Sequence, residues 1–370
     1  MRSSQRTKRS DYMEWAKTRS QARFNLATSG LTNVPFSEFP LRIPGLEITS
    51  TEGYGYKPLV ERLALHTGAP EDCIVTAAGT SMANHLAMAA LLEPGDEVVI
   101  EQPTYGLLVD VANYLGASVK RFRRKFDAGF AVEAAEIEKV VTPGTRLIVL
   151  SNLHNPSGAL IAPETLEAIA EVAHRVGARV LVDEVYLEML FDTDAPFCFP
   201  IGQKLSGARG NPFIVTSSLT KAYGLSGLRC GWILASPDLA KRMWLLNDLF
   251  AASPAHAAER MSVMAFDHLE QFQKRAKTLL RVNRALLDAF LDSRGDLDCF
   301  RPHAGTVVFP RLTRADPEKF FKLLREKYET TVVPGEFFEM AQHFRLGIGG
   351  ETAELREGLE RISSALDEFA

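Results

Sequence analysis

Cysteine is scarce and scattered: Cys73, Cys198, Cys230 and Cys299 are the four in 370 residues, and no two form a CxxC pair. That excludes a zinc ribbon and a disulfide framework, and it suits buried thiols in a reducing compartment such as the cytoplasm. The eight histidines show no HExxH spacing, so a metallohydrolase is not indicated and no metal is expected. No apolar run approaches the roughly 18 residues of a membrane span. A net charge of −4 leaves no basic footprint for nucleic acid. The turn Gly53-Tyr54-Gly55 has Pro58 where a dinucleotide fingerprint requires its third glycine, which removes the nicotinamide dehydrogenase reading. Arg2, Arg6, Lys8 and Arg9 faintly resemble a transit peptide, but four charges near a terminus fit a solvated tail better.

What is present is alternation. Helices are expected at 81–92, 105–115 and 163–176, and strands at 97–101, 118–121, 146–151, 179–183, 212–217 and 231–235. Such a pattern implies an α/β fold, a mostly parallel sheet between helices. Beyond residue 236 the texture changes to long helices at 237–268 and 269–292, then to short strands near 305–311 and 344–348 with helices at 317–328 and 352–369. That is a smaller α+β unit, into which the N-terminal segment is expected to fold back. The large domain is expected to span 45–265, with 1–44 and 266–370 forming the small one.

In open α/β sheets ligands bind beyond the carboxyl ends of the strands, so polar residues there carry the most information. The first such turn, Gly79-Thr80-Ser81, opens a helix whose free N–H groups and hydroxyls suit a phosphate, although small turns before helices are commonly N-caps. Pro103-Thr104-Tyr105, Asn155-Pro156-Ser157-Gly158 and Asp183-Glu184-Val185-Tyr186 follow later strands. Tyr105 could stack on a pyridine ring, Asn155 and Tyr186 could donate to its phenolic oxygen, and the Asp183 carboxylate could keep its nitrogen protonated. In isolation each has a bland reading as turn, core or cap. Their order is what counts, because it ends on Lys221, a lysine among small residues with Arg229 eight positions on. A partly desolvated amine near other cations loses its proton readily and can attack a carbonyl.

These stretches, with Ser218-Leu219-Thr220-Lys221, Gly227-Leu228-Arg229-Cys230-Gly231-Trp232 and Phe344-Arg345-Leu346-Gly347, make nearly the whole chain resemble the fold-type I pyridoxal phosphate enzymes of the class I/II aminotransferase family. The resemblance implies pyridoxal 5′-phosphate as cofactor and Lys221 as its Schiff-base lysine and proton shuttle. Asp183 and Tyr105 act on the ring, and Gly79, Thr80, Ser81, Asn155, Tyr186, Ser218 and Arg229 complete its binding site. Arg345, with Asn155, grips the substrate α-carboxylate. Family members are commonly homodimers in which a partner tyrosine reaches the phosphate; Tyr54 is the candidate, with Tyr56 competing. The implied reaction moves an amino group from an L-amino acid to a 2-oxo acid. A lyase, a decarboxylase, or an oxidase or cyclase acting on an amino acid such as arginine would share Lys221 and Asp183, and these alternatives stay open. Selectivity for acidic substrates would need a second cation, which neither Arg19 nor Arg23 can be assigned to supply.

Overall fold

The computed structural model describes residues 7–42, 49, 53–191, 195, 197–205 and 207–369. Arg2 and Arg6 of the basic tail and the expected domain boundary near residue 45 lie outside them, whereas Lys8 and Arg9 lie within. Seven strands form one sheet in the spatial order Ile74–Ala78, Cys230–Leu234, Phe213–Ser218, Arg179–Asp183, Thr145–Ser151, Glu97–Gln102, Ser118–Arg123. Cys230–Leu234 runs antiparallel to both neighbours, and the other pairings are parallel.

The central strands are largely apolar, with polar residues toward their ends, because helices cover both faces. Ile148 and Leu150 pack with Val180, Val182, Leu166 and Ile169 on one face. Leu147 and Val149, which the pleat points the other way, pack with Leu181, Ile214, Ala83 and Leu86. The helix Pro163–Val176 shows how local sequence sets this architecture: proline stands in its first turn, and Gly177 closes it in the left-handed region at φ 75°. The chain then re-enters the sheet at Arg179. Strand order reverses between Glu97–Gln102 and Thr145–Ser151, which are neighbours in the sheet although the Ser118–Arg123 strand lies between them in sequence. The carboxyl ends of five parallel strands, Ala78, Gln102, Ser151, Asp183 and Ser218, therefore share one edge.

A second core gathers Leu26 and Leu31 with Leu280, Leu287, Phe320, Leu346 and Ile362. Its strand Phe344–Gly347 pairs antiparallel with Val307–Val308 and Val333–Pro334. Phe24–Asn25 adds parallel to Thr330–Thr331, so the N-terminal segment does fold back onto this unit. One helical expectation is corrected. Instead of a single helix over 237–268, Pro237–Asn247 and His256–Asp267 are separate. Pro254 offers no N–H and disfavours helical geometry at Ser253, and Ala252 takes a positive φ of 53° just before it.

Candidate active site

At the edge formed by Ile74–Ala78, Gly79 adopts φ 78° and delivers the chain into the helix Thr80–Ala89. A Cβ on Gly79 would run into the guanidinium of Arg229, so only glycine lets that cation reach the helix start. Arg229 is itself held in the left-handed region at φ 51°, donating to the carbonyls of Ala78 at 3.1 Å and Ser226 at 3.3 Å. Thr80 Oγ1 donates to Ser218 Oγ at 2.9 Å, and Ser81 lies exposed on the same turn. A helix N-terminus, a guanidinium and three hydroxyls at one point fit a phosphate dianion.

Asp183 ends the central strand, buried. Its Oδ2 accepts from Asn84 Nδ2 at 2.9 Å and its Oδ1 from the Val185 N–H at 3.1 Å. Thr216 donates to Asn84 Oδ1 at 2.6 Å, which fixes the orientation of the amide. Burial pushes the Asp183 carboxyl up to about 6, against the opposing pull of the Asn84 and Val185 donors and the Lys221 charge. Lys221 lies in the short helix Leu219–Ala222 capped by Ser218. Burial lowers the basicity of its amine; Arg345 and Arg229 add to that, and Tyr12 and Asp183 oppose it. Nζ donates to Ser29 Oγ at 3.1 Å, and the buried Tyr186 donates to the same oxygen at 2.8 Å. Tyr105 caps the start of its helix, half-buried, with its hydroxyl 3.3 Å from Met13 Sδ and its ring edge-on to Tyr12.

Arg345 is 1% exposed. Its Nη1 donates to Asn155 Oδ1 at 3.0 Å, and its Nη2 to the Tyr12 hydroxyl at 2.9 Å and the Ala27 carbonyl at 3.0 Å. Nε is buried without a partner, and among the described residues no carboxylate pairs with the guanidinium. A buried cation with a free donor calls for an anion from outside the chain, which is what a substrate carboxylate supplies.

The sequence reading did not reach the support beneath these groups. Glu101 and Arg124 form a fully buried ion pair at 2.7 Å. Glu101 Oε1 also accepts from the Ser151 N–H at 2.8 Å and from its hydroxyl at 2.5 Å. His154 joins the Pro103 carbonyl at 2.9 Å and Ser157 Oγ at 2.6 Å. This network clamps the two loops that carry Tyr105 and Asn155 at the switch point of the sheet.

Comparison with known proteins bears on what these groups do together. The family model for aminotransferase class I and II matches residues 49–362. The chain belongs to the class I and II aminotransferase family. Across 96% of its length this family member is 31% identical to capreomycidine synthase of Streptomyces vinaceus, of which it covers 93%. A solved pyridoxal phosphate-dependent aminotransferase from Streptococcus suis 89-1591 superposes with a TM-score of 0.88 at 25% identity, covering 100% of this chain and 99% of that one. The pyridoxal phosphate-dependent cyclase OrfR superposes with a TM-score of 0.85 at 25% identity, covering 99% of each chain. The protein is accordingly a fold-type I pyridoxal phosphate enzyme.

Set against the sequence, the structure of this aminotransferase-family enzyme brings Gly79, Thr80, Ser81, Ser218 and Arg229 together at one end. Asn155, Asp183, Tyr186, Lys221, Tyr105 and Arg345 gather around Ser29 and Tyr12. Tyr54 stands apart: it is 55% exposed and its hydroxyl donates to Asp248 at 3.0 Å. Tyr56 packs edge-on against His256 at 4.8 Å. Arg19 and Arg23 pair with Glu14 and Glu329 on the surface. Asn84, Ser29, Tyr12, Glu101 and Arg124 were missed. Asn84 alone left a signal, an amide one turn after Thr80 in the helix that opens at the Gly79 turn.

Proposed function

We propose that the enzyme exchanges an amino group between an L-α-amino acid and a 2-oxo acid, with Lys221 as the proton-transferring amine. The cofactor, when bound, supplies a carbonyl for the substrate amine and an electron-withdrawing ring. The chain's own part is positional. Asp183 would hold a proton at the ring nitrogen, Asn155 would donate to the ring oxygen with the Tyr186 hydroxyl beside it, and Thr80, Ser81, Ser218 and Arg229 would hold the phosphate. Arg345 and Asn155 fix the substrate carboxylate, so that the α C–H bond faces Lys221. The partnerless Nε of buried Arg345 is the observation that carries this reading.

Capreomycidine synthase and OrfR favour a second reading, a cyclisation that begins with the same proton removal. Nitrogen tracing separates the two. Incubation of the holoenzyme with α-¹⁵N-labelled amino acids, arginine included, and an unlabelled 2-oxo acid should move label into the new amino acid. Cyclised product that keeps its α-nitrogen, formed without the oxo acid, would establish the second reading instead.

We further propose that the enzyme works in the cytoplasm as a homodimer, with 45–265 forming one domain and 1–44 with 266–370 the other. Exposed Tyr54, Tyr114, Leu249 and Phe250 support the dimer, since the Tyr54 ring neighbours Trp244 at 6.0 Å and Phe250 neighbours His85 at 5.4 Å. Sedimentation at micromolar concentration should give twice the chain mass. Tyr54→Phe should weaken cofactor retention if the partner's phenol reaches the phosphate.

A further inference from the structure

The loop that carries Ser29 belongs to neither edge of the sheet, yet it meets the lysine directly. Leu31 donates its N–H to the Lys221 carbonyl at 3.1 Å, and a Cβ on Gly30 would stand 3.3 Å from Lys221 Cδ. On its other side Leu26 accepts from the Gly347 N–H at 2.8 Å, and Ala27 accepts from Arg345. The Ser29 carbonyl accepts from Thr306 Oγ1 at 2.8 Å, and the side chain is 8% exposed. Its hydroxyl is thus fixed between Lys221 Nζ and the Tyr186 hydroxyl.

We propose that Ser29 is a positioning residue for proton transfer, its hydroxyl holding the free amine of Lys221 beside Tyr186 in both protonation states. The inference rests on the reading of Lys221 as the proton-transferring amine. Such an amine is alternately a neutral acceptor and a charged donor. A carboxylate such as Asp183 can only accept, and a guanidinium can only donate. A hydroxyl does both, accepting from the ammonium and donating to the lone pair of the neutral amine. Tyr186, bonded to the same oxygen, completes a path from the amine to the ring-oxygen end of the site. The other groups facing Lys221 are Tyr12 of the N-terminal helix, Arg345, Asp183 and Arg229. All of them remain in a Ser29→Ala variant, so a change there reports the hydroxyl.

The test uses apoprotein and holoenzyme. In the apoprotein, acetylation of Lys221 is followed by peptide mass spectrometry as a function of pH. Ser29→Ala removes a bond that is stronger to the charged ammonium than to the neutral amine, and should therefore lower the labelling midpoint by about half to one pH unit. Ser29→Thr, which keeps the hydroxyl, should restore it. In the holoenzyme, Ser29→Ala should lower kcat about tenfold with KM within about twofold, and raise the α-deuterium isotope effect. A midpoint and isotope effect equal to wild type in Ser29→Ala would overturn the proposal, as would a Ser29→Thr variant that behaves like alanine at unchanged melting temperature. A Lys221→Ala protein that still turns over normally would instead overturn the reading on which it rests.

Discussion

The two ends of the site differ in how complete they are. On the sheet side the chain satisfies itself: Thr216 orients Asn84, Asn84 and Val185 hold Asp183, and Thr80 holds Ser218. On the side built from the C-terminal unit, Arg345 has a buried Nε with no partner and borrows the Tyr12 hydroxyl. On the proposed assignment, the contrast teaches that the cofactor end is organised by the fold, whereas the substrate end is left for its ligand to finish. Asp183, Asn84, Thr216, Thr80 and Ser218 have fixed neighbours within the chain, although Ser217 Oγ in the same sheet is buried without a partner. If Arg345 takes the substrate carboxylate as proposed, it must release and recapture that anion and cannot be fully bonded within the protein.

The largest expected effect tests the residue that both ends share. Lys221→Ala should lower kcat by at least about 10⁴-fold, since it removes both the imine-forming amine and the general base. Borohydride should then fix no cofactor to the chain. Single-turnover kinetics and mass spectrometry check this, and retention of a reducible chromophore would remove Lys221 from its proposed role.

Asp183→Asn separates function from stability on the sheet side. Its carboxyl, raised from 3.8 to about 6, binds a proton more tightly in the folded apoprotein than in the unfolded chain. Its contribution to stability is therefore present below pH 4 and is lost as pH rises through 6, on the order of 2–3 kcal/mol. Asparagine carries no such cost, and Asn84 can turn its Oδ1 toward the new NH2 group while its own NH2 meets the Thr216 hydroxyl. At pH 7.5 the apoprotein of the variant should melt no lower than wild type, while kcat falls by about 10²–10³-fold for want of the charge that stabilises the ring. Calorimetry beside steady-state rates measures both; a large drop in apoprotein melting temperature would show that the carboxylate holds the fold together.

Much of this organisation can be read from residues alone, for physical reasons that also mark the limit. Strands covered on both faces announce themselves as apolar runs, and the helix at 163–176 is bounded by its proline and glycine. The residues proposed for the cofactor side, Asp183, Asn155 and Lys221, lie at or just after strand ends, where sequence order and spatial order coincide. Partners brought in from far along the chain leave no such trace. Tyr12 meets Arg345 across 333 positions and Ser29 meets Lys221 across 192, and Arg124 reads as one more charged residue in a basic stretch. The break between the helices at 237 and 256 was missed because apolar periodicity continues through Pro254.

On the substrate side, Arg345→Lys keeps the charge and loses the fork. With one point charge in place of two parallel donors, KM for the amino acid should rise about 10- to 100-fold, with a smaller change in kcat. Equal binding by wild type and variant would mean that the carboxylate docks elsewhere.

The smallest effect concerns a histidine two residues before that arginine. Among the buried histidines, His154 is bonded at both ring nitrogens, whereas both nitrogens of His343 are buried without partners, and its ring lies stacked 4.8 Å from Phe309. Burial, reinforced by the nearby Arg311 charge, lowers the His343 pKa to about 4. The unfolded chain takes up this proton near pH 6.5 and the folded chain only near 4, so the stabilising contribution is complete above 6.5 and shrinks as pH falls through that window. At pH 4.5 the loss should be on the order of 2–3 kcal/mol. Phenylalanine fills the same aromatic pocket without a titratable group. Urea unfolding at pH 7 and at pH 4.5 should therefore show His343→Phe losing less stability on acidification than wild type, and equal losses would mean that His343 finds a proton-accepting partner when charged. The comparison with His154 sharpens what bonding does here: a histidine with two partners anchors the loop beside Asn155, while one with none makes the strand bearing Arg345 the acid-sensitive edge of the site.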